Sequence, residues 1–532
     1  MKRHLYLILF LSLSASAIHR AEPSEWIDIK KYTFRIEVND STNMIHGVAE
    51  LAFVCRKNMT QFDLDLISKG TQGMGMIVTS VLHKGSPLKY THENDQIKIA
   101  LTASQGEQLT ISITYSGIPQ DGLIISRNKY GDRTFFADNW PDRGHNWLPL
   151  IDHPADKAAV EFVVVAPLHY EVVANGIRVE ESYLNPKQKL TRYREDIEIS
   201  AKVMVIGVAR FAIQQSGMVD HIPVESWVYP QNREEGFYDY ALAVKILDYF
   251  NTQVGPYSYK KLANVQSKTT FGGLENASAI FYFENSVTGK AAHETLMAHE
   301  IAHQWFGNSA TEKEWAHVWL SEGFATYCAL LYTEFAHGDE KRKEEMITDR
   351  NQVIAFYKKE QTPVVNPNVT NLMNILNANS YQKGSWVLHM LRKEIGDQPF
   401  WAGIRAYYKE FQNSTALTSD FQKAMETASG KKLDDFFNQW LYNPGHPVID
   451  GSWTFDDNSK TLILSIDQIQ KGQIFRFPLE IAVSFQEKEF QQIQKVLINK
   501  ESNQISLKVS EKPSKIALDP NVNLLFEGKL RN

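Results

Sequence analysis

The stretch His299-Glu300-Ile301-Ala302-His303, followed nineteen residues later by Glu322, constrains this chain more than any other. On an α-helix, residues four apart share a face, so His299 and His303 can aim both imidazoles at one point in space. Glu300 is turned by about 100° from His299. It is near enough to address a water at that point and wrongly placed to be a further ligand. A catalytic zinc usually takes three protein ligands and keeps the fourth position open. Glu322 is the third candidate, because Leu320-Ser321-Glu322-Gly323-Phe324-Ala325 opens a second predicted helix. The plain alternative, a helix carrying two surface histidines and no ion, explains neither Glu322 nor the further segments described below.

Two neutral imidazoles and one carboxylate leave a bound Zn²⁺ with net positive charge, which lowers the pKa of a water it holds from about 16 toward 7. Nitrogen and oxygen donors without thiolate suit zinc, with cobalt or manganese as possible substitutes. One Zn²⁺ per chain is therefore the expected cofactor. Glu300 would take a proton from the water as it attacks a carbonyl carbon and pass it to the leaving amine.

A chain of 532 residues suggests about three domains at roughly 150 residues each. Its net charge of −6, without a long basic run, argues against nucleic acid as a partner. The mixed-sign stretch Asp339–Glu345 reads as a solvated helix face. At the N-terminus, Lys2 and Arg3 precede an apolar run from Leu5 to Leu13, and Ala15-Ser16-Ala17 follows. That is the layout of a secretory signal peptide over residues 1–17, so an exported protein, periplasmic or secreted, is expected. No later stretch is long and apolar enough for a transmembrane helix. Cys55 and Cys328, the two cysteines, lie in segments assigned to different domains and read as buried free thiols.

Residues 22–215 carry period-two alternation, as in Tyr32-Thr33-Phe34-Arg35-Ile36-Glu37-Val38, and predict an antiparallel all-β domain. From 216 to 445 helical spacing predominates, with a short strand predicted at Leu262–Gln266. The helix bearing the histidines is expected from near Ala292 to Phe306, with Gly307 as a left-handed cap. Asn443-Pro444-Gly445-His446-Pro447 breaks the pattern, and alternation returns over 446–532, which reads as a small β-sandwich.

Four segments, in order, carry a resemblance that spans nearly all of the chain after residue 17. They are Phe271-Gly272-Gly273-Leu274-Glu275-Asn276, the run from His299 to Asn308, Trp315 to Gly323, and Ser380-Tyr381-Gln382-Lys383-Gly384. Together they resemble a zinc aminopeptidase of the thermolysin clan, the family of aminopeptidase N and leukotriene-epoxide hydrolase. The resemblance implies a multidomain α+β fold: an N-terminal saddle-like antiparallel β-sandwich, a thermolysin-like, mainly helical catalytic domain and a small C-terminal β-sandwich. It implies His299, His303 and Glu322 as metal ligands, Glu300 as general base and Tyr381 as the residue that stabilises the oxyanion. It further implies that Glu275 binds the free α-amine of a peptide substrate while the Gly272-Gly273 backbone runs beside it. An α-ammonium with a pKa near 8 is mostly cationic at neutral pH, and fixing it one residue from the metal lets only the first peptide bond react. The implied partners are peptides with a free N-terminus.

The chain departs from the family pattern at several positions. Leu274 stands for the usual Met, Ser321 for Asn and Gln382 for Glu. His317 is read as orienting a metal ligand. The family supplies a Gln or Glu from the N-terminal domain to help hold the amine; here Asp138 to Arg143 offers neither, and Asn139 is the polar substitute, with Trp140 in the matching place by ungapped count. Two other readings are epoxide hydrolysis on the same site and a catalytically silent peptide-binding module. Phe324-Ala325 follows the aminopeptidase pattern, against the first. The presence of His299, Glu300, His303, Glu322 and Tyr381 together argues against the second.

Overall fold

The computed structural model describes residues 23–485 and 492–531. The leader expected over residues 1–17 lies outside the described residues. The N-terminal part is built on an eight-stranded sheet whose inner strands are Gln188–Ser200, Lys157–Pro167, Ile27–Glu37, Ile45–Cys55, Gln108–Ile118 and Gly75–His83, in that spatial order. Alternation drives this layer: Tyr32, Phe34, Ile36 and Val38 are fully buried, with more exposed residues between them. The sheet is not wholly antiparallel. Ile27–Glu37 pairs in parallel with Lys157–Pro167, in register from Lys31 opposite Ala159 to Glu37 opposite Val165. Local alternation specifies which face of a strand is buried, whereas strand direction is set by partners more than a hundred residues away. A three-stranded and a four-stranded sheet complete the β-rich domain.

A five-stranded sheet then begins with Ala212–Val219, so the expected boundary at 215/216 falls inside a strand. Its last three strands are Leu262–Gln266, Ala279–Tyr282 and, at the edge, Gly273–Leu274. The helices of the middle part are α1 (Arg233–Tyr240), α2 (Leu242–Gln253), α3 (Glu294–Ala302), α4 (Trp319–His337), α5 (Asp339–Tyr357), α6 (Gly384–Ile395), α7 (Asp397–Phe411), α8 (Thr418–Ser429) and the short α9 (Asp434–Phe437). Helix α4 is apolar nearly all round and buried along most of its length, which makes it the central element of this part. The C-terminal part holds two sheets of four and three strands. Leu462, Leu464 and Ile466 on one sheet and Leu479, Ile481 and Val483 on the other are fully buried. Cys55 and Cys328 are both buried and free. Among the described residues no helix is long and apolar enough to cross a membrane.

Buried cations fasten the β-rich domain to the helical one. Lys157 Nζ donates to the carbonyls of Asn308 (3.0 Å), Ser309 (2.7 Å) and Ser414 (3.3 Å) and to Thr311 Oγ1 (3.1 Å). Lys202 pairs with Glu312, both almost wholly inaccessible, beneath the rings of Trp140 and Trp315. Asn175 Nδ2 donates to the carbonyls of Ala277 (2.7 Å) and Val203 (2.8 Å). Breaking any one of these would strand a buried donor, a loss of several kcal/mol for a charge.

The connection into the C-terminal part carries a pH-sensitive residue. His446 is 2% exposed, sits edge-on to Tyr357 (5.2 Å, 70°) and makes no hydrogen bond through either ring nitrogen. Burial, and then the positive charge of Lys383, hold its pKa down at about 4, against an opposing pull from Glu527. The unfolded chain, with a histidine pKa near 6.5, therefore takes up the proton first as pH falls. Stability should be full above about pH 6.5 and decline toward pH 4, by up to ~3 kcal/mol from this residue. Urea unfolding midpoints between pH 7.5 and 5 should fall more steeply for the native chain than for His446→Gln; equal slopes would show that His446 does not titrate this way.

Candidate metal and active site

Helix α3 delivers His299 and Glu300, and His303 follows on the next residue, still bonded in helical fashion through its amide to His299 O (3.3 Å). The helix thus ends sooner than the expected Phe306. Gly307 is also not its cap. With φ +117°, it lets the chain fold back over the His303 ring, where a Cβ would lie 2.3 Å from Ser321 Oγ and 3.1 Å from His303 Nδ1. The fold-back brings the carbonyl of Phe306 to 3.1 Å from His303 Nδ1. A carbonyl only accepts, so Nδ1 carries the proton and Nε2 faces the site. Ser321, a departure from the family pattern, also reaches Nδ1 at 3.2 Å.

Glu322 lies in the first turn of α4, where the helix dipole favours a carboxylate. Its Oε2 is 3.5 Å from His299 Nε2 and 3.2 Å from His303 Nε2, and the two Nε2 atoms are 3.1 Å apart. Donors held about 2.0–2.1 Å from a tetrahedral ion stand about 3.3 Å from one another. The triangle fits a small dication of that kind. Glu322 Oε2 is buried without a conventional hydrogen bond, the condition expected of a ligand atom.

Glu275 closes the other side. It is 5% exposed, its Oε1 makes no hydrogen bond, and atoms of Glu275, Glu300 and His303 lie within 4.8 Å of one another. Two residues just beyond His303 grip its backbone: Gln304 Nε2 and Asn308 Nδ2 both donate to Glu275 O, at 2.7 and 2.5 Å. Gly273 is required by close approach, since a Cβ there would stand 2.1 Å from Glu300 Oε1. Gly272 has open space where a Cβ would go, so no such contact demands a glycine there. Tyr381 sits in a π-helical turn, Asn379–Lys383, and its ring stacks on His299 (5.9 Å, 10°). The turn is set against α4 by a glycine pair: a Cβ on either Gly323 or Gly384 would come within 2.9 Å of the other's Cα.

Electrostatics follow from burial. Burial pushes the Glu300 carboxyl well above its usual range, His303 opposes this, and Glu275 and Glu322 add to it. Burial would also raise Glu322, but the charge on His303 and the proximity of both imidazoles outweigh it and hold that carboxyl far below the ordinary value. Burial, with the charges of Glu322, Glu275 and Glu300, lifts the Tyr381 phenol well above its ordinary value, so Tyr381 stays a hydrogen-bond donor. These side chains line one cavity of about 520 Å³, together with Gly272, Gly273, Leu274 and Trp140.

Two expectations need correction. Asn139 does not face the cavity: it is fully buried, donates to the carbonyls of Ala201 (3.2 Å) and Met204 (2.7 Å), and accepts from Trp147 Nε1 (2.8 Å). The N-terminal domain's contribution to the lining is Trp140. His317 does not orient a ligand. Its Nδ1 meets Thr418 Oγ1 at 2.7 Å, and Trp319 Nε1 donates to the same hydroxyl, tying the start of α8 to α4. The ligand-orienting contacts that sequence reasoning missed are Phe306 O and Ser321; only the unusual Ser321 offered a signal.

Residues 29–202 match the peptidase M1 N-terminal domain, and residues 238–440 match the peptidase family M1 domain. "Probable aminopeptidase 2" of Sulfurisphaera tokodaii is 24% identical over 95% of this chain and 65% of its own length. "Aminopeptidase M1" of Arabidopsis thaliana is 27% identical over 58% of this chain and 37% of its own length. "Glutamyl aminopeptidase" of Homo sapiens is 25% identical over 68% of this chain and 40% of its own length. The fold and the three-donor cluster thus accompany matches to both M1 domains. The chain belongs to peptidase family M1, and it spans between about a third and two thirds of the length of these relatives.

The glycine pair gives a direct test of this assembly. Gly384→Ala should cost about 1–3 kcal/mol, the usual range for an overpacked core, and lower the melting temperature in a calorimetric scan. An unchanged melting temperature would mean that α4 and the Tyr381 turn can part without loss.

Proposed function

We propose that this chain is a zinc aminopeptidase that hydrolyses the first peptide bond of peptides with a free N-terminus. The observation that carries the reading is Glu275: a buried carboxylate with an unbonded oxygen, opening on a cavity beside three metal-ligand donors. A peptide's ammonium is the cation that such an oxygen would take, and partial desolvation makes the pair far stronger than one on the surface. Membership of family M1 supports a peptidase, and the printed names of the relatives describe aminopeptidases.

His299, His303 and Glu322 would hold the zinc, which supplies a Lewis acid and makes water acidic enough to react near neutrality. Everything else falls to the chain. Glu275 binds the ammonium and sets the register, so that the first carbonyl carbon, and no later one, reaches the reacting centre. Gly273–Leu274, at the edge of its sheet and in the cavity lining, offers backbone groups to an extended substrate. Glu300 takes a proton from the attacking water and returns it to the departing amine nitrogen. Tyr381, kept protonated, donates to the oxyanion as charge develops on it.

Glu300→Gln should bind zinc as the native chain does, measured by atomic absorption, and lose at least about 10²-fold in turnover; near-native turnover would exclude Glu300 as the base. Acetylating the amine of a leucyl peptide should abolish cleavage, and dialysis against a chelator should abolish cleavage of the free peptide until zinc is restored. Cleavage of acetylated peptides at internal bonds would sink the aminopeptidase reading and leave an endopeptidase.

A further inference from the structure

Glu345 and Asp349 lie one turn apart on α5, so their side chains share a face, and both line the cavity that holds Glu275, Glu300 and Tyr381. Neither has a close cationic partner there. One oxygen of Glu345 is buried without a hydrogen bond. The other is 4.0 Å from Lys341, an exposed side chain that lies closer, at 3.3 Å, to Glu344. Asp349 forms no hydrogen bond or ion pair among the described residues, and burial together with the charge of Glu345 lifts its carboxyl to about 7. Two acids one turn apart ordinarily repel and are disfavoured on a helix; a cation bound between them would relieve that cost.

An independent feature of the same cavity also asks for a cationic occupant, namely the unbonded Oε1 of Glu275, a residue 5% exposed. The same cavity is also lined by the apolar Leu296, Ala329, Leu330 and Leu376. A lysine or arginine side chain needs both parts, because its methylene stem packs on apolar surface while its charged head seeks acceptors.

We propose that Glu345 and Asp349 form an acidic subsite that receives the side chain of a lysine or arginine flanking the bond to be cut. This rests on the aminopeptidase reading, with Glu275 holding the α-amine and α5 holding the side chain. Glutamate and aspartate in the same place would meet like charge and be rejected.

The test uses the full, zinc-loaded chain and two series of tripeptides with free amines. The first residue is varied in one series and the second in the other, through lysine, arginine, leucine and glutamate. In one series kcat/KM for lysine and arginine should exceed that for leucine by at least about tenfold, with glutamate lowest. Asp349→Asn and Glu345→Gln should each reduce the basic-to-leucine ratio in that series by about tenfold, and Asp349→Lys should turn the preference toward glutamate. The inference is overturned if leucine peptides are cleaved while neither series favours a basic residue, or if the preference survives in both neutral variants. If no peptide with a free amine is cleaved, the aminopeptidase reading itself fails and takes the subsite with it.

Discussion

Glu275, Glu300 and Glu322 are buried around one small volume, and among the described residues none of them pairs with a lysine or arginine. Like charges in a desolvated site cannot all stay ionised without compensation. The imidazoles of His299 and His303 relieve Glu322, and His303 only partly offsets the burial that drives Glu300 toward its neutral form. A dication at the three donors and an ammonium at Glu275, as proposed, would supply the missing positive charge. The chemistry assigned to each carboxyl follows from which of these charges it faces.

That concentration of negative charge has to be held rigidly, and the holding is done largely by backbone. Glu275 is fixed through its carbonyl by Gln304 and Asn308, both in the segment that follows His303. Ala277 N donates to Val203 O across the domain boundary, and Ser278 N donates to Gln304 Oε1. Glu275 and the segment that follows His303 are therefore tied to the same few residues. A displacement of one moves the other, which preserves their spacing.

Much of this was legible in the amino-acid order where geometry is local. Histidines at positions four apart on a helix must share a face, and the glycines of both close contacts stand in the very motifs that pointed to the site. Residues whose role depends on distant partners were not legible. Asn139 looked available, yet its amide is consumed by Ala201, Met204 and Trp147. His317 looked like an auxiliary of the metal and instead meets Thr418, about a hundred residues away in the chain. The parallel pairing of Ile27–Glu37 and the strand that straddles the expected boundary are equally set by long-range register. Glu345 ends a stretch whose mixed charges read as solvated, and only the packing of α5 sets it and Asp349 in the cavity wall.

The buried lysines at the seam bear on how the molecule is made. As the chain leaves the ribosome, Lys157 appears 151 residues before Asn308, and Lys202 appears 110 residues before Glu312. Over that interval both ammonium groups lack the acceptors that later surround them, and water has to serve in their place. The nascent β-rich half therefore keeps its future seam hydrated, and the cavity that Trp140 helps to line comes into being only when the second half arrives and expels that water.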